Sequence, residues 1–164
     1  MFSKAMLFGD KEIADKILAA KTPAQHKALG QQVKGFVQAV WDARRGGIQD
    51  AIAFARFDQN PKERRDLFKS LDTKMVEAAK NDKIWGIGLG ITDSRIHDPS
   101  KWLGLNLLGE SMDRAKARLI LKYPQEYAAA VAADGEALEQ CEPDLFERDF
   151  EAEYALAEIK AGFH

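Results

Sequence analysis

Cysteine is almost missing from this chain. Cys141 stands alone in 164 residues. That excludes an internal disulfide framework and a cysteine-based zinc site, and it fits a reducing, cytoplasmic setting. No apolar run approaches the roughly twenty residues that a membrane span needs. The first eight residues are mostly apolar, but they run straight into Gly9-Asp10 without a small-residue cleavage site, so they do not read as a signal peptide. Neither sign of charge dominates: 24 Lys and Arg stand against 26 Asp and Glu, a formal net charge of -2. Such a chain has no global attraction for nucleic acid, and any polyanion must be met by a local patch. Internal repeats, low-complexity tracts and linkers are missing too. With 46% apolar and 30% charged residues, the composition fits one globular domain with a real core.

The helical signals come early. Met1 to Phe8 starts on bulky apolar residues, which suggests a helix docked in a core or a chain whose natural beginning lies upstream. Asp10 to Ala20 reads as a helix with Ile13, Ile17 and Leu18 on one face. Thr22-Pro23-Ala24-Gln25 carries an N-cap, a proline at the first helical position and a capping-box glutamine. Leu29, Val33, Phe36, Val37, Val40 and Trp41 then recur at helical spacing, a core-facing stripe. Gly46-Gly47 interrupts it, and Ile48 to Phe57 resumes it. Asn60-Pro61 opens another short helix that ends near Ser70.

Then the period shortens. Met75 to Ala79 and Ile84 to Ile87 read as two short strands around an Asn81-Asp82 turn. Thr92 to Ser100 is a polar loop in which His97 is given no role. Asn106 to Tyr123 is helical again, with Asn106 as cap. Pro124 starts a segment that Asp134-Gly135 turns, and Pro143 to Ala161 reads as a final acidic helix. Cys141 reads as structural.

The stretch Asn81 to Gly90 gathers an acid, an indole and three glycines within ten residues. Glycine there permits close backbone approach to a ligand and positive φ. The plainer alternative is a strand and turn in which Trp85 is core and Asp82 a turn former.

Six segments, taken together, resemble the NADAR family, also called YbiA-like. They are Lys4-Ala5 with Phe8-Gly9-Asp10; Thr22-Pro23 with Leu29-Gly30, Val33-Lys34, Phe36 and Trp41; Arg56-Phe57 with Gln59-Asn60; Val76-Glu77-Ala78; Asn81-Asp82 with Trp85-Gly86-Ile87-Gly88; and Trp102, Gly104, Asn106, Leu108-Gly109. The match covers about residues 2 to 120. It implies an α+β, mainly helical fold: a YbiA-like single domain over 1–122, lacking its N-terminal part, with a few short strands. Residues 123–164 would be extra C-terminal helices packed on the same domain.

The resemblance also implies an N-glycoside hydrolase that cleaves a ribose C1′–N bond without metal or cofactor. Its substrates would be ADP-ribosylated guanine, free or in nucleic acid, or phosphoribosyl-pyrimidine intermediates of riboflavin synthesis. The family's lysine is thought to attack C1′ and form a Schiff base with the opened ribose. Lys4 matches it, and the apolar neighbours Phe2, Met6 and Phe8 suit a lowered pKa. Asp82 matches the acid before Trp-Gly, as general acid/base or ribose-hydroxyl ligand, and Glu77 is the second carboxylate. On an alternating strand these two would face opposite ways, so the turn between them must realign them. Trp41 and Trp85 are candidates to stack on a base, with core packing as the alternative. Gly86, Gly88, Asn106 and Arg56 complete the substrate-binding set. Asn106 serves either as an N-cap or, facing a pocket, beside a helix N-terminus that favours phosphate.

The pattern departs from the family at four places. The family's Ser-Glu-His-like segment, with a glutamate expected to be catalytic, would lie before Met1. Gln31 stands where Arg follows Gly, Arg56 stands for Lys, and Lys116 stands for Arg. Replacing Arg removes a bidentate phosphate fork. Two alternatives to an enzyme follow: a module that binds ADP-ribose or a nucleotide without cleaving it, and a structural interaction protein using its acidic C-terminal helices.

Overall fold

A computed structural model describes residues 1–70 and 73–138. Seven α-helices are present among the described residues: α1 Phe2–Leu7, α2 Lys11–Ala19, α3 Pro23–Gln31, α4 Gln38–Gln59, α5 Pro61–Phe68, α6 Leu107–Lys122 and α7 Pro124–Leu138. Two short 3-10 turns, Ser94–His97 and Pro99–Lys101, lie between α5 and α6. The chain divides into two compact units, Met1–Ile48 and Gln49–Pro143, the second described to Leu138. The expected helix over 143–161 and Cys141 lie outside the described residues.

In the first unit, α1 packs on α2 and α3. Ala5, Ile13, Ala14, Ile17 and Val33 form its core, with Phe2, Phe8 and Leu29 partly buried against it. Asp10 caps α2 through Oδ1, which accepts the Ile13 N–H at 3.1 Å. Its Oδ2 accepts the Lys34 N–H at 2.8 Å. One carboxylate thus fixes both a helix start and a distant chain segment. At α3 the full capping box forms: Thr22 accepts from the Gln25 N–H, and Gln25 reaches back to the Thr22 N–H.

The expected apolar stripe from Leu29 to Trp41 does not exist as one face. Helix α3 ends at Gln31, Gly35 takes φ +69°, and α4 starts at Gln38. Positive φ suits glycine, which has no Cβ to clash, and it breaks helical phase. Only Val33 of the stripe is buried, while Phe36, Val37 and Val40 are exposed. Gly46-Gly47, by contrast, interrupts nothing, because α4 runs through both.

In the second unit, α5 packs on α6 and α7, and α6 on α7. Phe68 and Leu119 are fully buried, and the Phe68 ring meets the edge of Tyr127 at 5.5 Å. Arg64, 3% exposed, ties the helices together. Its Nε and Nη2 donate to Glu126, both at 3.0 Å, and its Nη1 donates to the carbonyls of Phe57 and Asp58. The guanidinium lies 3.9 Å from the Tyr123 ring centre. Four of the five N–H donors of this buried cation are thereby met, more than the three a lysine carries. Asn60 donates from Nδ2 to the Arg56 carbonyl at 2.6 Å and so closes the end of α4 rather than capping α5 with its side chain. Helix α7 also continues past Asp134-Gly135, where a turn was expected.

The two expected strands are a correction. Among the described residues there is no strand, and 74–93 is an irregular loop. Asp82 Oδ1 accepts the N–H groups of Ile84 and Trp85 at 2.9 and 2.8 Å, which curls the chain where a ladder would need it extended. The loop's N–H groups and carbonyls are met by scattered partners: Ile87 N–H donates to Glu77, Leu103 to Ile87, and Leu105 to Lys83.

Candidate functional site

Lys4 lies on α1 in the first unit. Its Nζ donates to the Gly30 carbonyl at 2.8 Å and sits 4.3 Å from the centre of the Phe36 ring. Burial holds its pKa below the usual lysine value, because desolvation penalises the charged form. The apolar cover comes from a different direction than the local sequence suggests. Phe2 and Phe8 pack on the core, but Met6 is exposed, and the ring nearest the amine is Phe36.

That ring is placed by residues far apart in sequence. Asp10 holds Lys34, Gly35 turns at positive φ, and Phe36 then lies edge-on to Phe8, with ring centres 5.2 Å apart at 63°. A Cβ on Gly30 would meet the flexible Met1 side chain, which can move aside. In the sequence Phe36 reads as part of the core stripe, Asp10 as a helix start and Gly30 as part of a family-like segment, while Gly35 has no role. The available signal was Gly35 itself, a residue suited to ending a helix and restarting another. Trp41, on the first turns of α4, is half-buried.

In the second unit, the two glycine-rich segments pack against each other through their backbones. A Cβ on Gly86 would meet the carbonyl oxygens of Glu77 and Asp82 at 2.8 and 3.0 Å. Those two oxygens therefore converge on one glycine, although the residues are five apart. A Cβ on Gly104 would collide with the Gly86 carbonyl and meet Lys83 Cα at 2.8 Å. Gly88 has φ +71°, and a Cβ there would meet Leu103 Cβ at 3.0 Å. Gly86 and Gly88 are both buried. Their smallness is thus accounted for by close backbone contact within the loop. Trp85 is half-buried and shares the Asp82 turn through its N–H.

Asn106 is 1% exposed and has left-handed φ and ψ of 52° and 36°. Its Oδ1 accepts the Glu77 N–H at 3.0 Å, and its Nδ2 donates to the Met75 carbonyl at 2.9 Å. The side chain does not cap α6. The α6 N-terminus is occupied from within, because the N–H groups of Asn106, Leu107 and Leu108 donate to the carbonyls of Gly86, Ile84 and Trp85. At this end of α6, where a phosphate was the alternative to a cap, the loop's own backbone meets these N–H groups. Gly109 completes the arrangement, since a Cβ there would run into the Met75 carbonyl and the Asn106 amide.

Arg56 donates from Nε to Glu63 at 2.7 Å and lies 5.3 Å from the Phe57 ring centre. Lys116 is buried and donates from Nζ to Ser70 Oγ and to the Thr73 carbonyl, both at 3.1 Å. It holds the chain on either side of 71–72. His97 lies in a 3-10 turn and is exposed. Among the described residues, no group of three or more His, Cys, Asp or Glu could hold a metal ion. No helix among them is long and apolar enough to cross a membrane.

A family model described as the NADAR domain matches residues 1–120. Protein irg-1 of Caenorhabditis elegans is 36% identical over 121 residues, covering 73% of this chain and 57% of that protein. N-glycosidase R617 of Acanthamoeba polyphaga mimivirus is 36% identical over 110 residues, covering 67% of this chain and 65% of its own length. The chain therefore spans less than two thirds of either relative. No solved structure matches.

Proposed function

The chain belongs to the NADAR family, and from that premise we propose that it is an N-glycosidase acting on a ribose C1′–N bond through Lys4. The observation that carries this reading is the state of the Lys4 amine: half-buried, held on the Gly30 carbonyl, beside an aromatic ring, and with its pKa lowered by burial. A desolvated lysine is the form in which this side chain becomes a nucleophile. The name of the viral relative, an N-glycosidase, points to the same chemistry.

The neutral amine attacks C1′, the C1′–N bond breaks, and its electron pair leaves with the base, which gains a proton. The nitrogen lone pair then opens the sugar ring, the ring oxygen takes a proton, and a protonated Schiff base joins Nζ to C1′. Water adds to C1′, releasing the sugar and regenerating the amine. In the second unit Asp82 is proposed as acid/base or ribose-hydroxyl ligand, with Glu77 as the second carboxylate and Trp85 as a stacking surface. Trp41 is the corresponding proposal for α4. Gly86, Gly88 and Asn106 shape the loop that presents Asp82 and Trp85, and Arg56 is proposed to meet substrate phosphate.

The test is product release. The protein is incubated with ADP-ribosylated guanine oligonucleotide and, separately, with the riboflavin-pathway phosphoribosyl-pyrimidine, and free base and free sugar are followed by mass-detected chromatography. Release from either is expected, and it names the substrate class. Lys4→Ala and Lys4→Arg should abolish it. Binding without release by the folded protein would replace the hydrolase with a binding module. Full turnover by Lys4→Ala would remove Lys4 from the mechanism.

A further inference from the structure

Phe36 keeps 39% of its surface in solvent, yet its position is tightly specified. Asp10 Oδ2 grips the Lys34 N–H, Gly35 turns at positive φ, and Phe8 meets the ring edge-on. The arrangement holds an aromatic face 4.3 Å from Lys4 Nζ.

That distance bounds the surroundings of any atom the amine captures. A carbon bonded to Nζ is about 1.5 Å away, the length of a C–N single bond. On the ring-facing side of Nζ it comes into carbon–aromatic contact with Phe36. For a sugar captured from that side, Phe36 is the wall beside the reacting carbon. The Gly30 carbonyl on Nζ limits the directions further, because one amine hydrogen stays on it.

Resting on the reading of Lys4 as the amine that captures C1′, we propose that Phe36 is the residue that positions the sugar, its ring holding the C1′ end against the Lys4 amine. The ligand class is a ribose 5-phosphate unit, which both proposed substrate classes contain. The contact is between sugar C–H groups and the ring face, and it requires an aromatic side chain at this position.

The experiment uses ribose 5-phosphate, which forms a Schiff base without any glycosidic bond to break. The aldehyde carbon of the open sugar joins Nζ, and the carbonyl oxygen leaves as water. Sodium borohydride then delivers hydride to that carbon and fixes a secondary amine. The adduct at Lys4 is read by site-resolved mass spectrometry against the adduct at exposed Lys16. Phe36→Leu and Phe36→Met are expected to raise the sugar concentration for half-maximal Lys4 adduct about fivefold, the size of an aromatic contact. The plateau at saturation and the Lys16 adduct should not change. Phe36→Tyr and Phe36→Trp should restore the wild-type concentration, which a merely space-filling role would not require.

An unchanged half-saturation in folded Phe36→Leu and Phe36→Met overturns the proposal. So does a Tyr variant that behaves like the Leu variant, or a wild-type protein whose Lys4 adduct does not exceed that at Lys16. Turnover of the N-glycosides is measured in parallel. Phe36-dependent adduct without turnover keeps the sugar wall and removes the hydrolase.

Discussion

Arg114 lies on Asp50 in a two-pronged grip, with Nε to Oδ2 at 3.0 Å and Nη2 to Oδ1 at 2.8 Å. The pair is the first rung of a ladder between α4 and α6. Four residues on, the Arg118 guanidinium sits 4.1 Å from the Phe54 ring centre. Four further on, Lys122 Nζ donates to Asp58 Oδ1 at 2.6 Å, and the Tyr123 hydroxyl joins it at 2.9 Å. Positions 50, 54 and 58 face 114, 118 and 122, so two parallel helices meet once per turn through long side chains. The outer rungs are partly exposed and weak, and the central ring removes apolar surface from water. Phe54→Ala is expected to cost about 2 kcal/mol of unfolding free energy, against about 0.5 kcal/mol for Arg114→Met. Chemical denaturation checks the ordering, and equal losses would contradict it.

The same ladder makes a pH prediction. At Asp50 burial pushes the carboxyl up, but hydrogen bonds and charge from Arg114 outweigh it and leave the pKa lowered. Asp58 is lowered chiefly by the Lys122 hydrogen bond. Groups whose pKa is lower in the folded chain than in the unfolded one give stability above the unfolded value, near 4, and lose it as pH falls through the folded value. Stability should therefore drop more steeply below about pH 4 in the wild type than in Asp50→Asn/Asp58→Asn. Parallel curves for the two proteins would remove these residues from the acid response.

Asn106 makes a backbone bridge out of a side chain, and it depends on Gly109. Replacing the amide removes the acceptor of the half-buried Glu77 N–H and the donor to the half-buried Met75 carbonyl. Each orphaned group costs about 1–3 kcal/mol, so Asn106→Ala should lose about 3 kcal/mol. Asn106→Gly suits the positive φ but not the bridge, and should recover only part of the loss. Gly109→Ala should fail in the same way, because its Cβ runs into the bridge. Thermal melts read all three. A silent Asn106→Ala would show that the loop does not rely on it.

Residues whose role is local were legible in the sequence, and residues whose role is tertiary were not. Thr22, Pro23 and Gln25 make their capping box within four residues, so pattern alone reveals it. Asp10 was legible as the start of α2, but its second oxygen binds Lys34, 24 positions on. The strands expected at 75–79 and 84–87 rested on the shortened period and the turn-like Asn81-Asp82 between them. Asp82 curls that segment, and Gly86, Gly88 and Gly104 let its backbones touch. Phe36 looked like core because helical spacing was carried through Gly35, where the helix has already ended. For Asn106 the position at the helix start was readable, while its left-handed backbone and inward amide belong to the packed loop.

Gly46 and Gly47 sit inside α4 with open space where a Cβ would project. Nothing near them requires smallness. Glycine in a helix interior costs about 1 kcal/mol relative to alanine, because the unfolded chain loses more freedom. Gly46→Ala and Gly47→Ala should each raise stability by about that amount, and the double variant by about the sum if the two sites act independently. A loss of stability in either single variant would show a constraint on α4 that these contacts do not contain.

The Lys4 amine should reveal itself by the order in which lysines lose protons. Burial lowers its pKa, whereas Lys34 is raised by the Glu12 hydrogen bond and Lys122 by the Asp58 hydrogen bond. Only a neutral amine attacks carbon. As pH rises from neutrality, an amine-reactive reagent should therefore label Lys4 before Lys34 and Lys122, and turnover should climb with the Lys4 labelling curve. Lys4→Arg keeps its charge at every accessible pH, so it should give neither trapped adduct nor turnover. Labelling of Lys4 together with the surface lysines would mean that burial has not prepared the amine. Turnover that does not follow Lys4 labelling would place the titrating group of the reaction elsewhere in the chain.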